Sequence, residues 1–351
     1  MHKIILIVLS LFATSSFATE LAGIYQSQGA VANQDAQERV RVSPDILRQV
    51  LLKVVGDRAV LDAANLTPIL SDVDPLIQQS QYLRLPETAD ALTPSNQLAL
   101  LLSFNESALN LALTNNGLPI WSKSRPDVLI WLVIDDGQTR RVLAADDEST
   151  LYTSTLEHAA TRRGLPILLP IMDLQDQSQI SPDALWSGVV APIEQASQRY
   201  GAKIILLSRV TVLTNDVVHI SWQSIINGAS EQWQSEGDMT TTLQAGLDEF
   251  TDKLARELTQ VVTSQAQNEL SALEINNVRD YADYSRTMAY LANLQYVSDL
   301  QMVTLEDDKL AVTMQIKGDK SVFTRTLAID HMMEEESGDG TADVMHYRLL
   351  P

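Results

Sequence analysis

Residues 163–210 constrain this chain more than any other stretch. The segment opens with RGLPILLPIMDLQD and closes with ASQRYGAKIILLSRV. Ile167, Leu168 and Leu169 form a short apolar run fenced by Pro166 and Pro170. Proline donates no ladder hydrogen bond, so the run is limited at both ends. The second run, Ile204 to Leu207, follows Gly201, placed where a helix ends in a left-handed residue. Two buried strands joined by a helical crossover predict a parallel pair within an α/β domain.

The chain begins MHKIILIVLSLFATSSFATE. Lys3, the apolar segment Ile4 to Ala13 and the small residues Ser16 and Ala18 have the layout of a signal peptide cut between Ala18 and Thr19. Ser10, Thr14, Ser15 and Ser16 interrupt it too early for a spanning helix, which takes about 20 apolar residues. The expected product is exported, soluble and periplasmic, with no transmembrane anchor after signal removal. Cysteine is absent. That predicts no lipoprotein anchor, and it excludes disulfides, thiol nucleophiles and cysteine-based metal sites. The fold must stand on its packed core, and 351 residues are enough for two or three domains. Forty-five acidic residues against 25 Lys and Arg give a formal net charge of −20. Such a surface repels nucleic acid and anionic headgroups and attracts a basic partner or divalent cations.

The pattern along the chain predicts a mixture of α/β and α+β structure in three small domains after a signal peptide at 1–18. The first, 19–117, is α+β. It has a strand from Leu21 to Gln28 and a helix capped by Ser43 with Pro44 in its first turn. Ile46, Leu47, Val50, Leu51, Val54 and Val55 line that helix's buried face, and Gly56 stops it. A second helix is expected over 68–79 and a loop over 86–96. Leu98 to Phe104 read as a buried strand, and Glu106 to Leu113 as a helix ended by Asn116 and Gly117.

LPIWSKSRP at 118–126 reads as a joint to the second domain, 118–262, a mixed α/β sheet with parallel crossovers. Its first strand, Asp127 to Ile134, is closed by Asp135, Asp136 and Gly137. A helix over 148–163 ends at Gly164, and Asn227 with Gly228 makes a two-residue hairpin turn. The domain's last helix carries Leu243, Leu247, Phe250, Leu254, Leu258 and Val261 on one face, with Asp248, Glu249 and Asp252 expected in water. A linker at 263–269 leads to the third domain, 268–351. There the elements follow a β-α-β-β-α-β order, a ferredoxin-like sandwich, with 334–343 (EEESGDGTAD) as a loop before the last strand.

LPIWSKSRPDVLIWLVID at 118–135, RRGLPILLPIMDLQD at 162–176 and ASQRYGAKIILLSRV at 196–210 resemble a bacterial envelope family, domain of unknown function number two-zero-six-six. The likeness runs from about residue 21 to 262 and extends more loosely to the C-terminal domain. Ser43 and Pro44 depart from its pattern, which would run an uninterrupted helix on from Arg39 or Arg41. The resemblance implies an envelope protein and no particular activity, ligand or partner. By topology alone the middle domain also resembles the N-terminal domain of the Tol-system propeller protein, an analogy of fold.

Ligands of open α/β sheets bind beyond the carboxyl ends of the strands. Those ends hold Asp135 and Asp136 after one strand and Asp173 and Asp176 after another. Four converging carboxylates could hold a divalent cation or polarise a water; the alternative is that they are turn and N-cap residues. Arg162 and Arg163 sit where cations meet the negative end of a helix dipole. Trp131 and Trp222 belong in strands, while an exposed Trp186 or Trp233 could stack on a sugar ring. His2, His158, His219, His331 and His346 are scattered, and no HExxH, GxSxG, P-loop or GxGxxG occurs. No cofactor is called for. Two functions compete: a non-enzymatic binding or scaffold component of the cell envelope, and a metal-dependent hydrolase using the strand-end aspartates. The first would dock its partner on the polar face of the third domain's sheet, around Thr313 and Gln315.

Overall fold

The computed structural model of the chain describes residues 23–84, 98–147, 150–213, 217–259, 268–294, 296–330, 332–336 and 344–350. The signal peptide with its Ala18–Thr19 junction, the loop at 86–96 and the linker residues 263–267 lie outside the described residues. Within them the chain is mixed α and β, with three sheets and eleven α-helices.

The first sheet is antiparallel in the order β1 (Gln26–Val31), β3 (Leu98–Phe104), β2 (Ile77–Arg84). Helix α1 (Ala36–Val55) covers it, its Ile46, Leu47, Val50, Leu51, Val54 and Val55 buried against Leu100, Leu102 and Phe104. Ser43 does not cap this helix, and Pro44 lies inside it. The Ser43 hydroxyl donates to the Arg39 carbonyl at 2.7 Å, a back-bond available only within a helix. Pro44 removes one N–H, whose acceptor would belong to Val40, on the exposed side of the helix. The Gly56 stop holds: φ is +81°, and its N–H donates to Leu52 at 3.1 Å.

The helix expected over 68–79 is not there. After α2 (Arg58–Ala63), that stretch holds only α3 (Thr67–Leu70) and a 3₁₀ turn at Asp74–Leu76. From Ile77 the chain is strand β2, an edge strand whose polar Gln78, Gln79, Ser80 and Gln81 carry no apolar alternation. Helix α4 (Glu106–Asn115) follows β3, capped by the Asn105 side chain.

The central sheet has the order β5 (Arg140–Val142), β4 (Val128–Asp135), β7 (Ile204–Val212), β8 (Val217–Ile226), β9 (Ala229–Asp238). The two-residue β6 (Ile167–Leu168) pairs with β4. The crossover is therefore parallel, but its two strands do not touch each other: Ile167 and Ile204 both stand opposite Val128, one on each side of β4. Val128, Ile130, Leu132 and Ile134 pack under α5 (Leu151–Arg163) and α9 (Met239–Leu258). Leu129, Trp131 and Val133 pack under α7 (Pro182–Ser187) and α8 (Val190–Ser197). Burial on both faces is why this strand reads as an unbroken apolar run. Helix α6 (Leu174–Gln179) follows β6. Asn227 and Gly228, at φ +49° and +79°, turn the β8–β9 hairpin with the twist that two positive φ values supply.

The segment 118–126 is no loose joint. Trp121, Ser122 and Arg125 are buried, and the Trp121 N–H donates to Val54 at 2.7 Å.

The third sheet runs β11 (Val297–Glu306), β12 (Lys309–Lys317), β10 (Asn268–Asn276), β14 (Val344–Leu349), β13 (Met333–Glu335). Helices α10 (Tyr281–Asn293) and α11 (Lys320–Ile329) pack on one side of it. The expected four-strand ferredoxin-like sandwich needs correction. A strand entering straight from α11 would lie antiparallel to β10. Here β13 takes that direction at the edge, and β14 turns back and inserts between β13 and β10, parallel to β10. Glu334 and Glu335 thus belong to a strand rather than to the expected loop, whose residues 337–343 lie outside the described residues.

Candidate functional site

The four strand-end aspartates lie in two separate settings. At the end of β4, Asp135 accepts from Arg140 Nε at 2.8 Å and from the Gly137 N–H at 2.9 Å. Arg140 and, after it, the Gly137 N–H hold its carboxyl below the usual range. Asp136 accepts the N–H groups of Thr139 and Gln138 at 2.8 and 2.9 Å, which lower it in the same way. Beyond this turn an open cavity of about 410 Å³ is lined by Asp135, Gln138, Thr139, Arg140, Pro182 and Asp183.

After β6, Asp173 caps α6 through the Gln175 and Asp176 N–H groups and takes Arg199 at 2.7 and 3.0 Å. That guanidinium brings it down to about 2. Asp176, fully buried, binds Arg199 at 2.8 Å, Tyr200 Oη at 2.5 Å and the Met172 N–H at 2.9 Å. All four aspartates do turn, cap or ion-pair work. No three His, Cys, Asp or Glu among the described residues are placed to hold a metal ion.

Two other expectations are corrected. Asp248 and Asp252 do not face water; they are 5% and 7% exposed. They receive Arg58 from α2 and Arg162 and Arg163 from α5, Arg163 Nη2 reaching Asp252 at 2.6 Å and Arg162 Nη2 reaching Asp248 at 2.7 Å. The pair Arg162 and Arg163 is therefore held by carboxylates as well as by a helix end. No local signal announces this, because the partners stand far apart in the sequence. Of the tryptophans, Trp131 and Trp222 are core, Trp186 lies under Arg140 at 4.7 Å, and Trp233 stacks on Trp222 with Lys253 4.2 Å above its ring.

The third sheet offers a different kind of site. In β12, Leu310, Val312, Met314 and Ile316 are buried toward the helices, while Ala311, Thr313 and Gln315 point the other way and are half-buried. Register places Ala272 of β10 and Gln301 of β11 on either side of Thr313, and Leu270 and Ser298 on either side of Gln315. One end of this face is charged: Glu274 lies 3.5 Å from Lys309 and 3.9 Å from His346, and Glu336 bonds Arg348 at 2.7 Å. At the free edge, β11 exposes Met302, Val303 and Leu305. Both helices of this unit pack on the opposite side, so among the described residues the sheet has one helix-covered face and one that carries Leu270, Thr313 and Gln315 outward.

Residues 18–122 match the family described as Domain of unknown function (DUF8605). This overturns the resemblance to the family numbered two-zero-six-six: the family that matches is another one, and it lies N-terminal to most of the motifs that carried the likeness. No curated protein matches the sequence. Among solved structures, the chain is similar to the LpoB C-terminal domain from Salmonella enterica, with 15% identity and a TM-score of 0.23 over 37% of this chain and 93% of that one. It is also similar to lipoprotein GNA1162 from Neisseria meningitidis, with 14% identity and a TM-score of 0.22 over 38% of this chain and 96% of that one. Among the described residues, no helix is long and apolar enough to cross a membrane.

Proposed function

We propose that this chain is an exported component of the cell envelope that works by binding a partner protein, without catalysis, and docks it on the outer face of the third sheet. A signal peptide at 1–18 would be followed by three units, 19–117, 118–262 and 268–351, the first two locked together as a rigid support. The observation that carries this reading is the one-sided cover of the β10–β12–β11 face among the described residues. A rigid core of Leu310, Val312, Met314 and Ile316 stands behind a surface of Thr313, Gln315, Ala272 and Gln301. Small and uncharged at its middle and charged at one end, such a face can desolvate at its centre and orient a partner at its rim.

The test is site-specific photocrosslinking in cells, with the probe at Thr313, at Gln315 and, as a control, at Gln232 on the exposed edge of β9. A discrete adduct from 313 and 315, lost in a Gln301→Arg background and not seen from 232, supports docking on this face. Crosslinking that is equal at all three positions, or turnover of a cell-wall substrate by the purified protein, overturns it.

A further inference from the structure

Helix α11 belongs to two cores. Val322, Phe323 and Leu327 fill the core of the third sheet, while Ile329 is buried in the core beneath the central sheet. Arg325 Nη1 donates to the Glu257 carbonyl in the last turn of α9 at 3.1 Å. The helix closes on Asp330, whose N–H donates to Thr326 at 2.9 Å. This carboxyl is out of water, its residue 6% exposed. Oδ2 accepts from Tyr290 Oη at 2.7 Å, and Oδ1 is buried with no hydrogen-bond partner among the described residues.

Burial is what chiefly opposes charge on Asp330. Among the described residues, Tyr290 of α10 and Tyr296, just before β11, are the titratable groups that act on it, and Tyr347 of β14 acts on Tyr290. All three are neutral phenols, which burial raises above their ordinary value. The end of α11 adds the negative pole of a helix dipole. The nearest arginine or lysine in sequence, Arg325, is engaged with α9, and His331, next to Asp330, lies outside the described residues. Burial accordingly pushes the Asp330 carboxyl up to about 7, against the lowering effect of the Tyr290 hydroxyl.

We propose that Asp330 is a pH-sensitive latch on the seam between the third sheet and the central sheet. Neutral, it lets the end of α11 stay seated against α9; ionised, it draws that end toward water and opens the seam. The sign follows from linkage. The folded value lies above the unfolded one of about 3.9, so the group's contribution to stability is full below about pH 4 and is lost as pH rises to the folded value near 7.

The test is hydrogen exchange of the full chain at pH 6 and pH 8, corrected for intrinsic rates, beside Asp330→Asn, which cannot ionise. Linkage predicts that amides of residues 325–330 and 255–258 exchange about tenfold faster at the higher pH, while those of β4 do not change. Asp330→Asn should abolish that difference. If the variant does not fold, a carboxyl ¹³C titration of the wild-type chain still decides, with a midpoint near 7 expected. A midpoint near 4, an exchange rate at 325–330 independent of pH, or an equal response in the Asn variant overturns the latch.

Discussion

Arg163 shows what a single buried side chain does here. Its residue is 0% exposed, its guanidinium is shared between Asp248, Asp252 and the Gly56 carbonyl, and Asp252 also holds Arg58. Arg163→Met should cost about 3–5 kcal/mol, the penalty for breaking a buried ion pair from one side, measurable by urea unfolding. Burial alone would raise Asp252, but Arg163 and Arg58 outweigh it and hold the carboxyl below its usual range. Its contribution is therefore present above the unfolded value of about 3.9 and lost as pH falls below it, opposite in sign to that of Asp330. Gly246 is a second such position, since a Cβ there would collide with the Trp222 ring. Gly246→Ala should lower stability by about 1–3 kcal/mol through overpacking, even though alanine favours a helix; the melting temperature reads this directly. For the strand-end aspartates, arginine and N–H donors already occupy the carboxylates. We expect millimolar calcium or manganese to leave the melting temperature of the wild-type chain and of Asp173→Asn unmoved.

At the level of elements, what could be read from sequence was whatever a short periodic pattern specifies. β3, the α4 stop at Asn116 and Gly117, the β8–β9 turn and the apolar stripe of α9 from Leu243 to Leu258 stand as expected, because each is decided by neighbours a few residues away; Val261 lies outside the described residues. β2 was not legible: an edge strand needs no apolar alternation, and Gln78 to Gln81 give none. The polar side of α9 looks wet in sequence because Asp248 and Asp252 cannot be told from surface acids until α2 and α5 bring their arginines. β13 is three residues long, too short to announce itself, yet it reverses the last strand. Ser43 and Pro44 imitate a helix start although they lie inside α1. Pro44→Ala should restore an N–H for Val40 and stabilise the chain by about 2 kcal/mol. That figure is about 3 for helix propensity, less about 1 for the looser unfolded chain, and chemical denaturation can measure it.

For the whole molecule, the three sheets are joined by unequal seams. Between the first and second lie Arg58, Arg163, Asp248, Asp252 and the Arg256–Asp57 pair. Between the second and third lie Ile329 and the Arg325–Glu257 bond. We propose accordingly that 268–351 folds by itself while 19–117 and 118–262 unfold together. The isolated 268–351 fragment should melt in one cooperative transition, at a lower temperature than in the full chain because Ile329 loses its cover. A fragment with no transition in calorimetry would sink that division.

Arg125 carries one more consequence. Its guanidinium, stacked 4.0 Å over Trp121, spends its donors on carbonyls alone: Lys53 in the last turn of α1, Arg163 and Gly164 at the end of α5, and Ser122. Backbone oxygens are present whatever side chains evolution places there, and no counter-charge is involved that salt could screen. The part of the first seam that Arg125 holds is therefore indifferent both to ionic strength and to side-chain drift along the two helices that meet there, unlike the Arg–Asp pairs beside it. Lineages could rewrite the surfaces of either unit and still inherit this one contact, provided the arginine is kept.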